Sequence, residues 1–154
     1  MKELPHTHSC FVCGESNPSG LKLRFETDGQ GVHTHFRPQG EHIGFKGTVH
    51  GGLIATLLDE IMVWACAVRT RRFAFCAELN VRYRRPARPN EEVTAVGHLV
   101  ANHRDRLFEA RAELMDASGA VLASATGKYV PVKQSEVKEM ATEFVGDVGE
   151  WLAR

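Results

Sequence analysis

Residues 49–68, VHGGLIATLLDEIMVWACAV, form an almost unbroken apolar stretch of helical length with one acidic pair, Asp59 and Glu60, at its middle. A helix that is apolar around most of its circumference has to be covered on most sides. Carboxylates are seldom fully buried unless they are paired or employed. The pair therefore marks either a solvated edge or a working group. Placed in mid-span, it also argues against insertion into a bilayer.

The flanking sequence supplies the cover. Before the helix, Leu21–Thr27 and Val32–Pro38 alternate as strands around the turn DGQG, and a glycine-dotted loop, QGEHIGFKGTVHGG, leads into the helix. After it come FAFCAELNVRYRRP, EVTAVGHLVANH, RLFEARAELMD and AVLASATGKYVPV, all with period-2 character. In the first of these, Ala77, Leu79, Val81 and Tyr83 share one face and Glu78, Asn80, Arg82 and Arg84 the other. From Ser135, a plausible N-cap, Val137, Met140, Ala141, Phe144, Val148, Trp151 and Leu152 follow helical spacing. The expected organisation is an N-terminal segment over 1–20, one domain over 21–134 and a C-terminal amphipathic helix over 135–154. Short-turn strands with few helices point to an α+β protein with an antiparallel sheet. A sheet wrapped around one long helix is the shape of the hotdog fold.

The chain has 154 residues with 19 basic and 19 acidic side chains, so no global attraction to nucleic acid or to an anionic membrane is expected. The opening MKELPHTHSC contains no apolar signal region, and the four cysteines are expected to be reduced thiols in a cytoplasmic protein.

The stretch HGGLIATLLDE, with an Asp nine residues after the His, resembles the helix signature of hotdog acyl-CoA thioesterases of the phenylacetate-pathway (PaaI-like) kind. AELNVRYRRPA resembles the strand that follows the helix in that family, and the resemblance runs over roughly residues 20–132. It implies acyl-CoA as substrate and no organic cofactor or metal in the site. It implies that the Gly51 N–H faces the thioester carbonyl, with Gly52 allowing close backbone approach and His50 shaping the helix entry. Asp59 becomes the catalytic carboxylate, as general base or nucleophile. Many relatives carry Thr or Ser where this chain has Cys76, a poorer hydrogen-bond donor, to orient water or substrate. Leu53, Ile54, Leu57 and Leu58 would line part of the acyl pocket.

These roles suit the chemistry. Negative charge on a thioester oxygen is best met by a pre-oriented N–H at a helix N-terminus. Gly51 and Asp59, eight residues apart, lie roughly 12 Å apart along a helix. One carbonyl cannot touch both within a single copy. The two roles therefore require a homodimer, alone or within a dimer of dimers, in which Gly51 of one chain faces Asp59 of the other. Glu60 points about 100° away and is expected to be an ordinary solvated or salt-bridged residue.

Seven arginines fall between positions 69 and 88. Guanidinium forks suit the phosphates of coenzyme A, and Arg82, Arg84 and Arg85, with Asn80 on the same strand face, are the candidate contacts. Cys10 and Cys13 have zinc-compatible spacing, with His6 or His8 as candidate third ligands and His33, His35 or His42 as further candidates. The alternative is a knuckle-like turn with free thiols. The expected function is acyl-CoA hydrolysis. The alternatives are an acyl-CoA-binding or sensing protein without catalysis, a hydratase on the same fold, and a zinc-dependent interaction module.

Overall fold

The apolar stretch forms α1, Gly51–Thr70, in a computed structural model that describes residues 1–152. The helix is stopped at each end by a specific backbone device. At its start His50 is extended and its Nδ1 accepts the Gly52 N–H at 2.8 Å, satisfying one of the orphan donors of the first turn. At its end Arg71 turns left-handed, φ 58° and ψ 31°, and its N–H returns to the Ala67 carbonyl at 2.8 Å.

The strands are β1 Lys2–Glu3, β2 His6–Thr7, β3 Glu26–Thr27, β4 Val32–Phe36, β5 Ala74–Tyr83, β6 Val93–His103, β7 Leu107–Asp116, β8 Val121–Pro131 and β9 Phe144–Val145. Seven of them form one antiparallel sheet in the order β1-β3-β4-β6-β7-β8-β5. α1 packs against β4 through β8, so the sheet covers it as a hotdog does. The helix is long and apolar enough to cross a bilayer, but here that apolarity is spent on the sheet. Leu58, Ile61, Met62 and Cys66 are completely buried, each large aliphatic side chain contributing about 1.5–3 kcal/mol. At Gly97 in β6 a Cβ would sit 3.0 Å from the Ile61 carbonyl oxygen, so the absence of a side chain there sets how closely sheet and helix backbones approach.

Two expected elements are shorter than their periodicity suggests. Leu21–Thr27 pairs as a sheet strand only at Glu26 and Thr27. Further back, the Leu21 and Leu23 amides bond to the Phe11 and Val12 carbonyls, so that stretch ties down the N-terminal segment. The C-terminal helix, α2, spans only Gln134–Ala141. Its pattern is interrupted where Phe144 stacks on Phe73 at 5.1 Å and meets Trp64 edge-on at 6.0 Å. There β9 pairs with β2, and Gly146 follows at φ +92°. The tertiary ring cluster and the short ladder override helical periodicity beyond Ala141. Residues 153 and 154 of the expected helix lie outside the described residues.

Candidate active site

The entry of α1 forms one wall of a groove of about 410 Å³ lined by Phe45, His50, Gly51, Ile54, Tyr83, Arg84 and Arg85 among others. Gly51 presents an N–H with no acceptor among the described residues, while its carbonyl accepts the Tyr83 hydroxyl at 2.6 Å. A Cβ on Gly51 would press on the Tyr83 ring at 3.2 Å, and one on Gly52 would stand 2.9 Å from the capping Nδ1 of His50. The glycine pair thus lets one residue cap the helix while the neighbouring amide stays free for a ligand. Ile54 reaches the groove. Leu53 and Leu57 line a small apolar pocket with Ile54 beneath the groove, while Leu58, also expected as a pocket wall, is fully buried core instead. Phe45, 88% exposed at the groove mouth, is the largest apolar side chain the fold leaves in solvent there.

Two turns further along α1 the Asp59 carboxylate accepts the Tyr129 hydroxyl at 2.9 Å. Tyr129 is completely buried, and its ring lies in space vacated by Gly127, where a Cβ would come within 2.5 Å of it. Burial and the adjacent Asp59 charge push the Tyr129 hydroxyl far above its usual range. It is therefore a fixed donor. Cys76 faces Tyr129 in the β5–β8 ladder, next to a bulge between Cys76 and Glu78 that re-aims the strand. Burial, followed by the Asp59 carboxylate, raises the Cys76 thiol to about 11, so it stays protonated near neutrality. The structure thus brings Asp59, Cys76 and Tyr129 together. Tyr129 is absent from the residues that the sequence motifs single out. The signal for it is the inward stripe Ala123, Ala125, Gly127, Tyr129, in which small residues make room for one large polar-tipped ring.

The basic candidates divide. Arg84 and Arg85 line the groove at Gly51. Asn80 and Arg82 lie with Arg84 in a second depression, of about 310 Å³, beside Arg111 and Glu113. Within one chain Asn80 and Arg82 do not share the Gly51 groove.

Glu60 is not the solvated or surface-paired residue expected. Its Oε1 accepts from the Cys13 thiol at 3.6 Å and the Cys10 thiol at 3.8 Å. Burial, with the Cys10 charge second, raises its carboxyl to about 8. The Cys13 thiol and the Val12 amide hold Cys10 down, to about 5, while Cys13 itself is driven up by sharing its proton with Cys10 and by burial. His6 and His8, the candidate third ligands, turn to Glu15 at 3.0 and 3.5 Å. His35 pairs with Thr94, and His42 accepts the Gln39 amide.

Residues 46–123 match the sequence profile of the thioesterase superfamily. Human acyl-coenzyme A thioesterase 13 is 30% identical over 84 residues, which is 54% of this chain and 60% of the human protein. The mouse protein of the same name is 32% identical over 69 residues, 44% of this chain and 49% of that one. The chain thus spans at most 60% of the length of these curated relatives. The crystal structure of a thioesterase superfamily protein superposes with TM-score 0.74 at 29% identity, covering 80% of this chain and 60% of that one. A Streptococcus mutans protein bound to acetyl CoA gives TM-score 0.66 at 17% identity, covering 71% and 88%. The matched residues begin in the loop before His50 and run through α1 into β8, the parts that carry the capped helix entry and Asp59, and on that ground the chain belongs to the thioesterase superfamily.

Proposed function

We propose that this protein hydrolyses acyl-CoA thioesters, with Asp59 as the reacting carboxylate and the Gly51 amide as the donor to the carbonyl oxygen. The observation that carries the reading is the pairing, on one helix, of an N-terminal amide that no protein acceptor claims with a carboxylate oriented by a buried hydroxyl. The first meets developing negative charge with a dipole that needs no reorganisation. The second supplies the base or nucleophile. In the hydrolytic route Asp59 takes a proton from water as the oxygen attacks the carbonyl carbon. Collapse of the tetrahedral adduct then breaks the C–S bond, and the CoA sulfur leaves with that proton. In the covalent route an Asp59 oxygen attacks the carbonyl carbon and the C–S bond breaks, releasing CoA as its thiolate; water then adds to the mixed anhydride, freeing the acid and the Asp59 carboxylate. Single-turnover hydrolysis in labelled water identifies a covalent route in which water attacks the Asp59 side of the anhydride, because that route alone transfers label into Asp59.

Gly51 and Asp59 lie roughly 12 Å apart along α1, so each site takes its amide from one copy and its carboxylate from another. The surface that supports such a dimer is β5, a ten-residue strand at the sheet edge with Phe75 and Tyr83 exposed. An edge of that length with unpaired backbone groups is a template for a second strand. Arg84 and Arg85 at the groove suit the phosphates of coenzyme A. The acetyl CoA bound to the Streptococcus mutans neighbour and the name of the human relative agree with that ligand class.

The test is thiol release over short, branched, aromatic and long acyl-CoAs. Asp59→Asn keeps an acceptor for Tyr129 and should fold as wild type while losing about 10²–10⁴-fold in turnover. Gly51→Pro removes the amide at a helix position that tolerates proline and should cost about 10²–10³-fold. Refolding the two variants together should restore activity, because mixed dimers regain one intact composite site. Near wild-type turnover in Asp59→Asn would overturn the role given to Asp59, whereas tight acyl-CoA binding by wild type without release of free thiol would favour a binding or sensing protein.

A further inference from the structure

Asp59 and the helix entry leave unexplained why α1 sets a second, half-buried carboxylate against two thiols. Three features of that region converge. First, Cys10 and Cys13 sit on a tight turn in which the Gly14 N–H bonds to the Cys10 carbonyl at 2.8 Å and the Val12 N–H bonds to the Cys10 sulfur at 3.3 Å. A Cβ at Gly14 would lie 2.3 Å from the Cys10 carbonyl oxygen, so glycine is what allows the turn to close. The turn aims both sulfurs the same way and supplies an amide to one of them, as a metal-holding thiolate needs. Second, both sulfurs converge on one oxygen, Glu60 Oε1, and the three donor atoms lie within 4.8 Å of one another. Third, no cationic side chain reaches Glu60 among the described residues, although a carboxylate taken out of water ordinarily acquires a positive partner.

The distances are those of a coordination polyhedron. A tetrahedral zinc with sulfur at about 2.3 Å and carboxylate oxygen at about 2.0 Å has sulfur–oxygen edges of about 3.5 Å. Here those edges are 3.6 and 3.8 Å. As hydrogen bonds between thiol and carboxylate they are long and weak; as the edges of a tetrahedron around a cation they need only small adjustment.

We propose that Cys10, Cys13 and Glu60 form a binding site for a divalent zinc-type cation that fastens the N-terminal turn to α1. Two thiolates and a carboxylate carry three negative charges that the cation largely neutralises, and its binding displaces the protons the group otherwise shares. Three protein donors leave the fourth tetrahedral position to a solvent ligand. Soft sulfur donors select zinc over magnesium or calcium. Mechanically the site would link the segment before β3 to the helix position next to Asp59.

The experiment uses the full chain, reduced and stripped of metal by chelation, titrated with cobalt(II) and then zinc(II). Wild type should take up one cobalt per chain, with thiolate-to-metal charge transfer in the near ultraviolet and the strong visible bands of a four-coordinate ion. Zinc should displace it and raise the melting temperature. Cys10→Ser and Cys13→Ser should each abolish the charge-transfer signal or reduce it by half. Glu60→Gln, which keeps both thiols and the shape of the side chain, should bind at least about tenfold more weakly with altered visible bands. Failure of the reduced wild type to bind cobalt at one per chain overturns the site. So does unchanged affinity in Glu60→Gln, because the carboxylate would then lie outside the ligand set. The wild-type titration stands by itself, so it decides the matter even where a serine variant does not fold.

Discussion

Asp59 and Glu60 are chain neighbours with the same functional group, yet the fold treats them oppositely. Asp59 turns toward β5 and β8, where a buried tyrosine hydroxyl holds one oxygen and a neutral thiol lies beside it. Glu60, about 100° round the helix, turns to the N-terminal turn, where two sulfurs are its side-chain hydrogen-bond partners among the described residues. One carboxylate is oriented beside donors, and the other is half-buried with no cationic partner among the described residues. On a helix wrapped by its own chain, adjacent positions belong to different sites, because each azimuth faces a different element. Helical charge pairs are therefore better read one residue at a time.

The contrast can be broken most directly by exchanging the burden. Asp59→Asn should remove about 10²–10⁴-fold of the turnover and leave metal affinity unchanged. Glu60→Gln should leave turnover within about threefold and weaken cobalt binding at least about tenfold. Equal kinetic losses in the two variants would erase the division. Tyr129→Phe sharpens the Asp59 side. It removes a hydrogen bond to a charged group, worth about 1.5–3 kcal/mol, without opening a large cavity. It should lower kcat by about 10–100-fold with little change in KM, and steady-state kinetics with a melting curve would separate this from a folding defect. The last effect is read at Glu60 in metal-free protein. Its carboxyl is raised by burial from 4.5 to about 8, so the fold favours the neutral form. That contribution is complete below about 4.5 and is lost as pH rises through about 8. Across this window metal-free wild type should lose stability relative to Glu60→Gln, whose amide does not titrate. Denaturant unfolding at several pH values under chelation reads the difference, and parallel pH profiles for the two proteins would refute it.

Much of the Asp59 side is legible in the sequence because it is written along one helix. His50, Gly51 and Asp59 are tied by helical spacing, and the spacing carries the roughly 12 Å separation that, granted the two proposed roles, calls for a second copy. The partners of that helix are less accessible. Tyr129 is 70 residues from Asp59, and the inward direction of its side chain depends on the register of β8. Strand parity groups Asn80 and Arg82 with Arg84, but it is Arg84 and its neighbour Arg85, just beyond the end of β5, that line the Gly51 groove. The expectation of a solvated Glu60 fails for a related reason. Azimuth on a helix says which residues diverge, and the element waiting on each side is a matter of long-range packing.

By itself the sequence determined the central apolar helix, its glycine entry, the antiparallel strands and the acidic residue two turns in, since all of these follow from local period and turn chemistry. It also set the cysteine pair on a tight turn. Only the tertiary structure decided that the second carboxylate meets that turn 47 residues away, that a buried tyrosine orients the first, and that the C-terminal helix stops at Ala141 so that Phe144 can join Trp64 and Phe73. Contacts between distant segments are selected by how the whole core fills space, and local periodicity carries no record of which segments will meet.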